Sequence, residues 1–195
     1  MSYTQDELFP IEWGYPTLWQ QRLTDDELKM CSDSGTLKYQ EVVAGRRQCG
    51  HGPGNNSNGP GSHIEGRIRE LITAKKLKLP WDPVTFYRRG TKDVGGMVEV
   101  RGTNKPDGEL FLKPFDKNFP KRAGDEGKGP VVLVKKLTTH TYYLRGWMDA
   151  DYALTHYPHH PAIPGKRDKC VLVPQNDLNP MEWLVEWIEA RRQKS

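Results

Sequence analysis

The stretch KDVGGMVEVRGT, residues 92–103, combines residue types that bind metal ions and phosphates. Asp93 stands six positions before Glu99 with a Gly-Gly pair between them, and Arg101 follows two positions later. Carboxylate oxygens are preferred ligands of Mg²⁺, which commonly takes one or two of them together with waters and phosphate oxygens. Asp93 and Glu99 could therefore hold such an ion. Arg101 would then meet a phosphate or a developing negative charge.

The glycine pair decides whether the two carboxylates share a face of this hairpin. Side chains alternate along a strand, so Glu99 and Arg101 share one face and the valines between and beside them share the other. A tight two-residue turn pairs Asp93 with Val98 and points Asp93 away from Glu99, which excludes the metal site. A bulge or a wider bend adds one residue and returns Asp93 to the face of Glu99. The alternative without chemistry is an exposed strand carrying a Glu-Arg ladder.

Residues 1–60 are predicted to form a helical N-terminal extension that ends in a flexible connector. Thr24 and Glu27 make a capping-box pattern at the start of a helix. We expect Gly35 to interrupt this helix, which ends near Gly45. The stretch 45–62 has six glycines and two prolines, a composition typical of a flexible linker.

Residues 61–195 are predicted to form the core domain. Ser62 and Glu65 make a second capping box, and apolar residues at helical spacing predict an amphipathic helix at 63–78. The other predicted elements are helices at 149–155 and from Pro180, and strands at 84–88, 97–103, 109–115, 131–137, 141–148 and 170–175. This order predicts an α/β or α+β fold in which helices flank a mixed central sheet.

Composition narrows the classes of function. The chain has 195 residues and a formal net charge of +4, which favours an anionic partner and permits nucleic acid, but falls short of the dense basic stripe of a dedicated nucleic-acid binder. Cys31, Cys49 and Cys170 are an odd number at wide spacings, so we expect no disulfide framework and a reducing, cytoplasmic location. The longest aliphatic run is VVLV, and no membrane-spanning segment is expected.

An acidic residue in a helix, then Asp, then Glu-x-Arg on a strand resembles the PD-(D/E)XK phosphodiesterase superfamily. More narrowly, HIEGRIRELITAKKLKLPWDPVTFYRRGTKDVGGMVEVRGT, GELFLKPFD, VVLV, RGWM and CVLVPQNDL resemble a group of small phage proteins. The likeness runs from about residue 63 to 178, and the DVGG to EVR segment is its most specific part. It implies a restriction-endonuclease-like core of a helix, three strands, a helix and a strand.

The resemblance implies a metal-dependent nuclease that hydrolyses DNA phosphodiester bonds. It places Asp93 and Glu99 on Mg²⁺ or Mn²⁺, adds the Val100 carbonyl as a ligand, and completes the acidic set with Glu70 on the preceding helix. Arg101 stands where the superfamily usually has lysine, and an arginine stabilises charge but is a poor general base. The alternative is a catalytically inactive module that binds nucleic acid or another phage protein. A homo-oligomer is also left open.

Two glutamates of the 63–78 helix compete for the role in this acidic set. Glu65 is accounted for by capping. Glu70 lies nearly opposite the apolar stripe of the helical wheel, which by itself predicts exposure to solvent, and the resemblance favours it. Basic residues nearby would suit a phosphate backbone, with a solvated helix face as the alternative. They are Arg67, Arg69, Lys75, Lys76, Lys78, Arg88 and Arg89.

Overall fold

A computed structural model describes residues 17–44, 59–83, 92–114, 125, 127–161 and 169–193. The helices are α1 (Asp25–Val43), α2 (Gly61–Leu77), α3 (Ala150–His156) and α4 (Met181–Arg192). The strands are β1 (Gln20–Arg22), β2 (Glu99–Thr103), β3 (Leu110–Leu112), β4 (Pro130–Lys136), β5 (Thr141–Asp149), β6 (His159–Pro161) and β7 (Lys169–Val173). The predicted strand at 84–88 and most of the predicted connector lie outside the described residues.

Two sheets are present. The larger is mixed, with strand order β1-β5-β4-β2, in which β2 and β4 run parallel and the other pairs are antiparallel. The smaller is antiparallel, with order β3-β7-β6. The predicted class, helices around a mixed central sheet, is confirmed.

Strand β4 lies at the centre of the molecule because both of its faces are covered. Val132 and Val134 pack into a core with residues of α1, α2 and α4. Val131 and Leu133 pack on the other face into a second core with β3, β7 and α3. A near-continuous apolar run is what a strand needs when it is buried on both sides. The central sheet is therefore the middle of three layers.

Helix α1 begins as predicted but is not interrupted. Thr24 and Glu27 form the expected reciprocal capping box. The prediction that Gly35 interrupts the helix is wrong, since α1 is continuous to Val43. A Cβ atom at Gly35 would lie 2.6 Å from both the Cα and the N of Ile64, so this glycine allows the backbones of α1 and α2 to touch.

Helix α2 does not begin as predicted. The capping box at Ser62 is wrong, because the helix begins at Gly61 after Pro60, with no side-chain cap. Glu65 therefore does not cap the helix, and its carboxylate binds Lys136 Nζ at 2.5 Å and the Tyr142 hydroxyl at 3.3 Å. Helix α4 begins at Met181, one residue later than predicted. Among the described helices, none has the length and apolar character needed to cross a bilayer.

We predict that Gly35→Ala destabilises the fold by about 1–3 kcal/mol, because the added methyl group would push α1 and α2 apart. Gly66→Ala is the matched control: it also lies inside a helix, but a Cβ there meets no atom within 4 Å. That variant should gain about 0.5–1 kcal/mol from helix propensity. The measurement is the free energy of unfolding in urea. Equal effects of the two substitutions would contradict the close approach.

Candidate active site

The glycine hairpin adopts the wider of the two geometries considered from sequence. Val94 and Val98 pair directly, with N–H···O distances of 3.0 and 3.1 Å, so the connection has three residues and not two. Gly95 and Gly96 both have positive φ, 58° and 65°, which glycine adopts without strain. The tight two-residue turn, the alternative that excluded the metal site, is therefore wrong.

This register sets Asp93 at the position across from Glu99, one residue beyond the isolated Val94–Val98 bridge. Val94 and Val98 are fully buried in the core between the sheet and the helices. Asp93 Oδ2 accepts a hydrogen bond from the Val100 backbone N–H at 3.0 Å, which fixes the carboxylate against the start of β2. The two acids predicted from sequence thus lie on neighbouring segments, near enough for the charge of Glu99 to act on Asp93.

Glu70 joins them from α2. Its side chain is only 5% exposed, so the exposure that the helical wheel predicted is wrong. One carboxylate oxygen, Oε2, accepts hydrogen bonds from Arg67 at 2.5 Å and from Trp81 Nε1 at 3.1 Å. The wheel fails because α2 packs both against α1 and against β2, and is buried on more than its apolar stripe.

Arg67 orients Glu70 and is itself fixed. Its Nε donates to Ser34 Oγ at 2.9 Å, and its NH2 donates to the carbonyls of Asp82 and Pro83 at 3.1 and 2.7 Å. The side chain is 1% exposed. Arg67 therefore cannot serve the phosphate-binding surface predicted around this helix.

The three carboxylates influence one another electrostatically. Burial, followed by the negative charges of Glu99 and Glu70, raises the pKa of Asp93 to about 7. The Val100 N–H and the Arg101 guanidinium act in the opposite direction and only partly compensate. A carboxyl group with this pKa exists in both protonation states near neutral pH, which is a frequent property of groups in active sites.

Two side-chain cations, Arg101 and Lys128, pair with Glu99 and with a fourth acid, Asp125. Arg101 donates to Glu99 Oε1 at 2.8 Å, to Asp125 Oδ1 at 2.6 Å and to the carbonyl of Val100 at 3.2 Å. Lys128 Nζ lies 2.6 Å from the same oxygen of Glu99 and 3.0 Å from Asp125 Oδ1. The Val100 carbonyl, predicted as a metal ligand, thus accepts from Arg101.

Asp125 and Lys128 were missed from sequence. Burial alone would raise the pKa of Asp125, but Arg101, Lys128 and the backbone N–H of Lys113 hold it below the usual range. Both residues lie in the glycine-rich stretch GDEGKG before β4, which has no periodic pattern. The superfamily that the sequence resembles usually has a lysine at the position of Arg101. The ammonium that contacts Glu99 belongs to Lys128.

The chemistry of these donors suits a hard cation. Hydrogen bonds reach only one oxygen of each of Glu70, Asp93 and Glu99, so within the described ranges the second oxygen of each has no partner. Their mutual repulsion would be relieved by a divalent ion. In that same part of the chain, no group of three or more His, Cys, Asp or Glu is arranged to hold a metal. A site of two carboxylates completed by waters and phosphate oxygens needs no third.

Most of the described residues predicted to form a basic surface pair with other groups of the protein itself. Lys75 pairs with Glu27, and Lys76 donates to the carbonyl of Leu18. Arg69 binds Glu65 and Asn104. Lys78 is exposed, and Arg88 and Arg89 lie outside the described residues.

No protein-family model matches the chain, and neither a curated protein nor a solved structure matches it. The resemblance to the PD-(D/E)XK superfamily accordingly stays a prediction. The acids Glu70, Asp93, Glu99 and Asp125 together are called the carboxylate cluster.

We predict that Asp93 makes the protein less stable as the pH rises. Its folded pKa, about 7, is above the ordinary value near 4, so its contribution is complete below about pH 4 and is lost as the pH rises through 7. Asp93→Asn should therefore gain stability relative to the natural protein between pH 5 and pH 8, by about 1–4 kcal/mol. The measurement is urea unfolding in EDTA. Asp107→Asn, at an exposed site, is the control, and parallel curves for natural protein and Asp93→Asn would contradict the raised pKa.

Proposed function

We propose that the protein is a metal-dependent phosphodiesterase of the PD-(D/E)XK type that hydrolyses DNA. The observation that carries the proposal is that the buried Glu70 and Glu99 lie near enough to the half-buried Asp93 for their charges to raise its pKa, with Arg101 bonded to Glu99. Surface charge ladders on a strand leave their carboxylates in water, whereas Glu70 and Glu99 are each 5% exposed. Ionisable groups buried together at a cost in stability are typical of functional sites.

Each residue has a distinct part in this proposal. Asp93 and Glu99 would hold Mg²⁺ or Mn²⁺, and Glu70 would complete the acidic set. The bound ion would supply an activated water and neutralise charge on the scissile phosphate. Arg101, which already spans Glu99 and Asp125, would donate to the phosphate oxygens in a bidentate manner.

Lys128 supplies the ammonium group that the superfamily pattern places at the position of Arg101. It shares the Oε1 atom of Glu99 with Arg101. An ammonium carries three donors on a flexible stem, so it can turn from Glu99 to a phosphate or a leaving oxygen without loss of the fold. Its neighbours Gly127 and Gly129 have φ of 69° and 64°, and they hold the backbone in a conformation that favours glycine.

The chain order is compatible with a restriction-endonuclease-like core but departs from it in one respect. The plan of a helix, three strands, a helix and a strand is met in order by α2, then β2, β4 and β5, then α3 and β7, with β3 inserted after β2 and β6 inserted after α3. Strand β7, however, lies in the second sheet and pairs with β3 and β6. Our proposal of a restriction-endonuclease-like core therefore rests on the position of the acids and not on the order of strands in the sheet.

A second candidate function has its own support. Glu99 and Asp125 are neutralised by Arg101 and Lys128, so this part of the cluster is satisfied without a metal. A buried network of this kind can be retained in a protein that performs no chemistry. The corresponding function is a non-catalytic module that binds nucleic acid or another protein.

The deciding experiment incubates the protein with single-stranded, duplex and branched DNA, with and without Mg²⁺ or Mn²⁺. We expect cleavage that requires metal and falls at least about 100-fold in Asp93→Asn and Glu99→Gln, since even the outer partners of metal ligands are worth about 10–100-fold. Asp107→Asn is the control and should cleave normally. Salt-sensitive binding without cleavage would favour the non-catalytic module, and cleavage unchanged by both substitutions would refute the site.

Lys128→Met tests whether the ammonium takes part. We expect kcat to fall by about 100-fold or more with little change in KM, because a positioned proton donor or charge acts mainly in the transition state. Lys105→Met, at an exposed position, should have no effect. A Lys128→Met protein that cleaves at the natural rate but melts at a lower temperature would show that this lysine is only structural.

A further inference from the structure

Residues 79–83, LPWDP, leave helix α2 by a defined turn. We call them the LPWDP segment. The helix is capped by Lys78, which has a left-handed φ of 51°, and Pro80 follows two residues later, where it cannot continue the helix. The backbone N–H of Leu79 donates to the carbonyl of Ala74 at 2.9 Å, and the Leu79 side chain is buried in the core between the sheet and the helices. The segment therefore starts from an anchored residue.

The LPWDP segment holds Glu70 through both of the donors that this carboxylate has. Trp81 Nε1 donates to Glu70 Oε2 at 3.1 Å, and the guanidinium carbon of Arg67 lies 5.2 Å from the centroid of the Trp81 ring. Arg67 donates to the same oxygen of Glu70 at 2.5 Å. It also donates to the carbonyls of Asp82 and Pro83 at 3.1 and 2.7 Å. One donor thus belongs to the segment, and the other is fixed by its carbonyls.

The same segment holds the glycine hairpin. The carbonyl of Pro80 accepts the N–H of Gly95 at 3.0 Å. A Cβ on Gly95 would lie 3.1 Å from the Cβ of Leu79 and 3.3 Å from the Cδ of Pro80, so the hairpin packs closely on the segment. Gly95 is two residues from Asp93, whose carboxylate accepts the N–H of Val100. The LPWDP segment therefore contacts both the helix that carries Glu70 and the hairpin that carries Asp93.

The indole N–H of Trp81 separates a positioning role from a packing role. Trp81 is half-buried and packs against the core formed by the helices and the sheet, and any aromatic ring would supply that packing. Its N–H, however, makes a charge-assisted hydrogen bond, which is stronger than a bond between neutral groups. Together with Arg67 it fixes the Oε2 atom of Glu70 and so restricts rotation of the carboxylate.

We infer that Trp81 is a positioning residue for Glu70, and that the LPWDP segment fixes Glu70 and Asp93 relative to each other. Trp81 acts through Glu70 and not on a substrate. The segment joins α2 and the hairpin into one unit, so the two acids keep one spacing whether or not an ion is bound. Groups that orient metal ligands are worth about 10–100-fold in metal affinity. The consequence for a metal rests on the proposed function, whereas the coupling of α2 to the hairpin does not.

Hydrogen exchange of the Gly95 amide, measured in EDTA, tests the coupling without any metal. Trp81→Phe keeps a ring and removes the N–H. We expect the Gly95 amide to exchange about 10-fold faster or more, because loss of a hydrogen bond to a charged group makes local opening of the segment easier. Trp147→Phe is the matched control, since Trp147 is also half-buried and its Nε1 donates to the carbonyl of Pro180 at 2.9 Å. It should leave Gly95 unchanged.

A second substitution shows whether Trp81 acts through Glu70. Glu70→Gln replaces the charged acceptor with a neutral amide oxygen, so by itself it should speed exchange of both the Trp81 indole N–H and the Gly95 amide. Trp81→Phe should then add little more. Equal effects of Trp81→Phe with and without Glu70→Gln would show that ring packing is responsible, and would contradict the inference. If Trp81→Phe fails to fold, unchanged exchange of both groups in Glu70→Gln would refute it.

The consequence for a metal is measured by calorimetric titration of the full chain with Mn²⁺. We expect Trp81→Phe to weaken Mn²⁺ binding by about 10- to 100-fold, and Trp147→Phe to leave the affinity unchanged even if it lowers the melting temperature as much. Equal Mn²⁺ affinities of the natural protein and Trp81→Phe would overturn the positioning role. A natural protein that binds no Mn²⁺ would refute the enzyme, and hydrogen exchange at Gly95 would then decide the coupling alone.

Discussion

Electrostatic repulsion among carboxylates held close together and away from water is the constraint on which the rest of the structure depends. Such groups resist ionising together, and the raised pKa of Asp93 shows that the fold does not fully relieve this. The protein responds with counter-charges placed at fixed points, Arg67 on Glu70 and Arg101 on Glu99. Each counter-charge is in turn held by further hydrogen bonds, Arg67 by Ser34 and two backbone carbonyls, and Arg101 by Asp125. The site balances buried charges of opposite sign, and the free-energy cost of burying them is offset by the apolar packing around them.

That packing explains why the central sheet needs a layer on each side. Strand β2, which carries Glu99 and Arg101, has β4 as its one partner among the described strands of the sheet, and β4 is buried on both faces. Helix α2 lies over β2 and brings Glu70 to it, and the touching backbones of α1 and α2 at Gly35 hold α2 in place. A change in the distance between these helices would therefore change the spacing of the acids, although none of them lies on α1.

Sequence patterns predicted the elements well and the contacts between them poorly. Alternating and helical periodicities predicted the four described helices and β2, β3, β4, β5 and β7 to within a few residues, because burial of apolar side chains is a local and repeated signal. The short strands β1 and β6 were missed, and the strand predicted at 84–88 lies outside the described residues. Glu70 was misjudged on the wheel, since a helix packed on two sides hides more than its apolar stripe. Asp125 and Lys128 were missed because they reach the site from a glycine-rich segment with no period. The Gly-Gly pair permitted two registers, and only three-dimensional pairing of Val94 with Val98 selects between them.

The three-residue connection of the hairpin has a consequence for how such a protein can change over time. Side chains in a strand alternate with a period of two, so parity in the loop decides which face Asp93 occupies. Loss or gain of a single codon there would move the acid to the far side of the ribbon while every strand kept its composition. Exchanges of one residue for another act gradually on this site. Insertion or deletion of one residue in the connection acts all at once, so a single event can separate Asp93 from Glu99 and abolish the site.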